Sequence, residues 1–213
     1  MSIWFTADTH FGHCGIVGHA QRPYESCEAM DEDLITKWNS VVKGNDTIYV
    51  IGDFAWCRHD YYLGRLKGMK ILVTGSHDKM ANDIKVRNCS DYYNGERMIS
   101  IDGMSIWLRH CCPRVWERCH YGVPCFFGHS HSRMPTWNLS RDVGIDSKDA
   151  NFTPFEWPYL KAWCETREGE MRSYGRIVTE PNRGVELWHQ DDVRFWMNKA
   201  NNMENATLEG LHE

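Results

Sequence analysis

Six residues of the chain carry the side chains of metal ligands and recur in one setting. Asp8, His10, Asp53, His110, His129 and His131 each stand just beyond the end of an apolar run. A related cluster, Gly75-Ser76-His77-Asp78, follows the run Ile71–Thr74. Imidazole and carboxylate suit Zn, Mn and Fe, and six such donors exceed one tetrahedral site. Two ions about 3.5–4 Å apart, with one carboxylate shared, would use all six; such a pair lowers the pKa of a bound water and stabilises charge on phosphoryl oxygens. A His taken singly is more often a surface or satisfied core residue than a ligand. Five apolar runs all ending in His or Asp are harder to ascribe to composition.

The clusters meet only if the runs lie side by side as strands. Residues 2–7, Thr47–Ile51, Lys70–Thr74, Pro124–Phe127 and Arg141–Ile145 are expected strands. Arg97–Ile101 and Ser105–Arg109, joined by Asp102-Gly103-Met104, form an expected hairpin whose second arm delivers His110. Ser26 is suited to cap a helix in which Met30, Leu34, Ile35, Trp38, Val41 and Val42 keep helical spacing up to Gly44. A second helix is expected over about 58–67, with Tyr61, Tyr62 and Leu66 inward. The polar stretch 79–95 gives no assignment. Early alternation of strands and helices, followed by hairpins, points to a mixed sheet flanked by helices, with the site outside the carboxyl ends of the strands.

In order and approximate spacing, Asp8-x-His10, Gly52-Asp53, Gly75-x-His77-Asp78, His110 and Gly128-His129-x-His131 resemble the calcineurin-like metallophosphoesterase superfamily. The match spans about residues 1–150, and Phe5–His13 looks like the opening of its small bacterial and phage single-domain members. The resemblance implies an α/β fold, a four-layer α/β/β/α sandwich of mixed sheets. It implies two divalent metal ions (Mn, Fe, Zn or Ni): Asp8, His10 and His131 on the first, Asp53 bridging, and His110 and His129 on the second. A hydroxide bridging the metals would attack phosphorus in line, and His77 would be the catalytic residue that helps the leaving oxygen depart. Asp78 is expected to fix the turn. The family has Asn where this chain has Ser76, a shorter and weaker ligand, so the second metal is expected to bind weakly yet suffice; an altered substrate or metal preference and an impaired site are the alternatives. The larger phosphatases of the family carry Asp and Arg shortly after the bridging Asp. Trp56 and Cys57 stand there in this chain, which disfavours a protein Ser/Thr phosphatase.

The expected function is metal-dependent hydrolysis of a small or nucleotide-like phosphoester. A diester is slightly favoured because no cluster of Arg is evident to clamp a dianion. A catalytically impaired protein that binds a nucleotide or phosphoester on the same scaffold is the alternative, and a nuclease a further one. His13 and Arg22, in the loop after the first motif, are candidate substrate contacts.

The chain has 213 residues, 42% hydrophobic and 25% charged, within the range of one globular domain. Residues 1–165 are expected to form the metallophosphoesterase core. Residues 166–213 would be an extension packed on it: a hairpin of Tyr174–Glu180 and Val185–His189, then a short helix over about 191–200. The net charge of −5 argues against a dedicated nucleic-acid binder. The first residues lack the character of a signal peptide and no run approaches a membrane span, so a cytoplasmic protein is expected. The oligomeric state, monomer or dimer, is open. Nine cysteines without C-x2-C pairing are expected to be reduced and mostly buried, with no structural zinc at Cys111, Cys112, Cys119 and Cys125.

Overall fold

A computed structural model describes residues 1–78, 91–93 and 95–173. The elements in chain order are β1 (Ile3–Thr6), α1 (Cys14–His19), α2 (Cys27–Val41), β2 (Thr47–Ile51), α3 (His59–Arg65), β3 (Met69–Val73), β4 (Asp91–Tyr93), β5 (Glu96–Ile101), β6 (Met104–Arg109), β7 (Cys125–Phe127), β8 (Ser140–Asp142), β9 (Phe155–Glu156) and α4 (Trp157–Ser173). The first sheet has the order β4-β3-β2-β1-β9 and the second β5-β6-β7-β8. In the first, β1 to β4 run parallel and β9 antiparallel; in the second, only the β5–β6 pair is antiparallel.

Strand alternation divides the core. Trp4, Ile48, Val50 and Leu72 face Met30, Leu34 and Trp38 of α2 and Tyr62 and Leu63 of α3. Phe5, Ile51 and Val73 face Ile106, Leu108 and Phe126 of the second sheet, where the Phe5 and Phe126 rings meet edge-on at 5.2 Å. The outer side of the second sheet is covered by Trp116, Leu139 and the 3-10 turn Cys119–Tyr121. The architecture is the α/β sandwich of mixed sheets that the motifs imply.

Ser26 caps α2 as expected, its Oγ accepting from the Ala29 N–H at 3.1 Å. In α3 the inward residues are Tyr62 and Leu63, and Tyr61 is exposed. The expected strand 141–145 is shorter: after Asp142 the chain leaves the second sheet, Gly144 bridges to Ala7, and Ile145 N–H bonds Ala7 O. This crossing ties the ends of β1 and β8 together at the site. Helix α4 was not evident from sequence and runs through position 165, where the core was expected to end. Trp157, Leu160 and Cys164 keep its inward spacing, and Pro158 falls in the first turn, where its missing N–H costs no helical bond. The expected hairpin and helix beyond residue 173 lie outside the described residues. No helix among the described residues is long and apolar enough to cross a membrane.

None of the described cysteines forms a disulfide, but few are buried. Cys27, Cys125 and Cys164 are, whereas Cys14, Cys57 and Cys111 are exposed.

Candidate metal centre

Every residue of the expected ligand set sits just beyond the carboxyl end of a strand: Asp8 and His10 after β1, Asp53 after β2, His110 after β6, His129 and His131 after β7. The loops are stitched to one another. Asp8 N–H donates to Gly52 O, His10 N–H to Asp53 O, and Gly128 N–H to His110 O. Asp8, His10, Asp53, His129 and His131 all have positive φ, between 46° and 68°. For residues with a Cβ this backbone costs on the order of 1–3 kcal/mol each and persists only where the surroundings enforce it. Five strained residues among six candidate ligands mark this as a site built for something other than stability.

Glycines make the room. A Cβ on Gly75 would fall 2.3 Å from Asp53 Oδ1, and one on Gly128 2.5 Å from Asp8 Oδ2. A Cβ on Gly52 would lie 2.3 Å from His110 Nδ1. Asp78 does fix its turn: Oδ2 accepts from Asp53 N–H and Gly75 N–H, and Oδ1 from Phe54 N–H, all at 2.8–2.9 Å. The Asp53 backbone is thereby clamped while its side chain points inward.

At the centre, Asp53 Oδ2 lies 3.6 Å from His10 Nε2 and 3.1 Å from His110 Nε2. Both nitrogens are buried and make no hydrogen bond. The other nitrogen of each ring is engaged: His110 Nδ1 donates to Ile51 O at 3.0 Å, and His10 Nδ1 meets His13 Nδ1 at 3.3 Å. A buried imidazole nitrogen facing a carboxylate without a hydrogen bond is costly unless a proton or a metal ion sits between them. Donor atoms of Asp8, His10 and His131 lie within 4.8 Å of one another, as do those of Asp8, Asp53 and His110. The residues therefore fit divalent ions. His129 is exposed, its ring 5.1 Å from that of His110, and its backbone N–H donates to both oxygens of Asp8.

Charge in the pocket is finely divided. Burial pushes Asp8 up to about 7, against the pull of His110 and His131. Burial also acts on Asp53, but the adjacent His110 and the His77 N–H outweigh it and hold that carboxyl well below the usual range. Burial brings His10 down to about 3, so its ring is neutral and able to ligate. For His110 burial is outweighed by the Asp53 and Asp8 carboxylates, which push it up to about 9. A metal ion at Nε2 would displace that proton.

Ser76 Oγ lies 3.4 and 3.3 Å from the two Asp53 oxygens, so the hydroxyl is directed at the carboxylate. His77 donates its N–H to Asp53 Oδ1 at 2.8 Å and presents a side chain that is 40% exposed. Trp56 flanks it, with ring centroids 5.2 Å apart, and stacks on His13 at 4.5 Å. His13 is thus at the pocket wall.

Arg22 is not available to a substrate. Its side chain is fully buried and all five N–H groups are used. Nε and Nη2 bind Asp146 at 2.9 and 2.8 Å, Nη2 also donates to Asp8 O, and Nη1 donates to Thr9 O and Met30 Sδ. Asp146 in turn accepts from His131 Nδ1 at 2.7 Å, which turns Nε2 of that ring toward the pocket. In the sequence the only signal of this chain of contacts is an Asp just after an expected strand. Asp142 is a second support, bracing the His129–His131 loop through Ser130 Oγ and Ser132 N–H.

Two sheets packed face to face, with this His and Asp constellation at their strand ends, are the arrangement that the sequence resemblance to calcineurin-like metallophosphoesterases implies. No family model matches the chain. An uncharacterised protein of Methanocaldococcus jannaschii is 32% identical over 104 residues, which cover 46% of this chain and 57% of that protein. The gene 66 protein of Mycobacterium phage L5 is 32% identical over 83 residues, 36% of this chain and 40% of the phage protein. The chain thus spans about half the length of the curated relatives it matches. Among solved structures, a protein of unknown function from Aquifex aeolicus superposes with a TM-score of 0.61 at 22% identity, covering 76% of this chain and 98% of that one.

Proposed function

We propose that this chain hydrolyses a small or nucleotide-like phosphoester with divalent metal ions held by Asp8, His10, Asp53, His110, His129 and His131. The observation that carries the reading is Asp53 Oδ2 lying between two buried imidazole nitrogens that lack any hydrogen bond. Bound ions, of Mn, Fe, Zn or Ni, would make a water nucleophilic near neutral pH and neutralise charge on the phosphoryl oxygens.

The chain's own residues do the rest. Asp53 spans the two halves of the pocket, in keeping with a shared carboxylate. His77, whose side chain is 40% exposed, would give a proton to the departing oxygen. With Arg22 committed to Asp146, His13 remains as the candidate contact to a non-bridging phosphate oxygen. Among the described residues no Arg clamps the pocket, which suits a diester, carrying one negative charge, better than a monoester dianion.

Turnover of bis-p-nitrophenyl phosphate by metal-loaded protein tests the reading. Activity that depends on added Mn²⁺ or Zn²⁺ and collapses in His10→Ala is the expected result; equal rates with and without metal, unchanged in His10→Ala, would refute it. The Ser76 contact to Asp53 favours a second reading, a protein that retains a phosphoester without turning it over. That reading expects ligand binding without hydrolysis and a gain of activity in Ser76→Asn. Nuclease activity fits the acidic chain less well, and digestion of oligonucleotides would reveal it.

A further inference from the structure

Cys111 stands directly after His110, and its Sγ lies within 4.8 Å of a ring nitrogen of both His110 and His129. Those two His are the ones assigned above to the second metal. His110 supplies an independent sign that a cation belongs here, being 3% exposed with an Nε2 that makes no hydrogen bond and lies 3.1 Å from Asp53 Oδ2. Three donors, Asp53, His110 and His129, leave a tetrahedral ion one short. Ser76 offers only a neutral hydroxyl, 3.3 Å from Asp53 Oδ2 and a weaker donor than an anionic side chain. Cys112, the adjacent thiol, is turned to Pro113 O at 3.6 Å.

We propose that Cys111 Sγ is the remaining donor of the second metal position and supplies what Ser76 does not. This rests on the metal-dependent reading of the pocket given above. Binding would release the thiol proton to solvent and leave a thiolate–metal bond, with no change of oxidation state. The two positions then differ in chemistry. Asp8, His10, His131 and the shared Asp53 offer only nitrogen and oxygen, which Mn accepts. Asp53, His110, His129 and Cys111 include a soft thiolate, which selects Zn, Fe or Co over Mn.

Cobalt substitution reads this directly, because a cysteine thiolate on Co²⁺ produces a near-ultraviolet charge-transfer band that imidazole and carboxylate do not. Metal-free protein titrated with Co²⁺ is expected to develop the band in wild type and in His10→Ala, and to lose it in Cys111→Ser. Cobalt bound by wild type without the band overturns the assignment of Cys111 and leaves the phosphoesterase reading standing, as does a band that survives in Cys111→Ser. Failure of wild type to bind any cobalt overturns both.

Discussion

Arg22 and Asp146, 124 residues apart in sequence, form a two-point buried ion pair, Nε to Oδ1 at 2.9 Å and Nη2 to Oδ2 at 2.8 Å. The pair joins both ends of the pocket. Arg22 also holds the carbonyls of Asp8 and Thr9, and Asp146 also holds His131 Nδ1. One contact thus sets the backbone of one candidate ligand and the ring orientation of another.

Asp146→Asn keeps the shape but removes the charge that fixes the His131 ring. Loss of a carboxylate behind a metal-bound His typically costs about 10–100-fold in metal affinity. A fall of that order, measured by competition with a chelator, is expected for Asp146→Asn. Unchanged affinity alongside a lower melting temperature would mean that Asp146 serves the fold alone.

Gly75→Ala would drive a Cβ to 2.3 Å from Asp53 Oδ1 and 2.4 Å from Asp53 N. The turn is pinned by Asp78 and has little room to yield. Overpacking of this kind costs about 1–3 kcal/mol, and here it would also displace the carboxylate at the centre of the site. Gly44→Ala is the control, because nothing lies within 4 Å of the added carbon; it is expected to change stability by less than about 0.5 kcal/mol. Denaturant unfolding of the two variants, with metal binding measured in parallel, checks the contrast.

How the site reads from sequence follows from how it is built. The candidate ligands stand where strands end, so Asp8, His10, Asp53, His110, His129 and His131 announce themselves as polar punctuation after apolar runs, and parallel strands leave few ways to arrange them. Arg22 and Asp146 were not legible as partners, because a long-range ion pair leaves no periodic trace and an Arg in a Gly-rich loop looks like a phosphate contact. Tyr61 and Tyr62 are adjacent and alike, so only packing could show which one faces inward. Helix α4 was hidden by its polar second half, Glu165-Thr166-Arg167-Glu168, which masks the inward spacing of Trp157, Leu160 and Cys164.

Asp46 gives a pH test away from the pocket. Its carboxylate accepts from Ser2 N–H, Lys43 N–H and Trp4 Nε1–H, and the two backbone donors hold it below its ordinary value of 3.8. A depressed carboxyl contributes stability that is present above 3.8 and lost as pH falls through the folded-state value. Wild type should therefore exceed Asp46→Asn in melting temperature near neutral pH, and the gap should close on acidification below 3.8. A gap that stays constant in acid would contradict this origin.

The six strand-end His and Asp residues are expected to bind divalent ions. Metal content per chain after equilibration of metal-free protein with Zn²⁺ or Mn²⁺ and removal of the excess tests this expectation most directly. Two zinc ions per chain are expected, falling to one in His10→Ala, with manganese filling the second position less well. No bound metal in wild type, or the same content in wild type and His10→Ala, would contradict it.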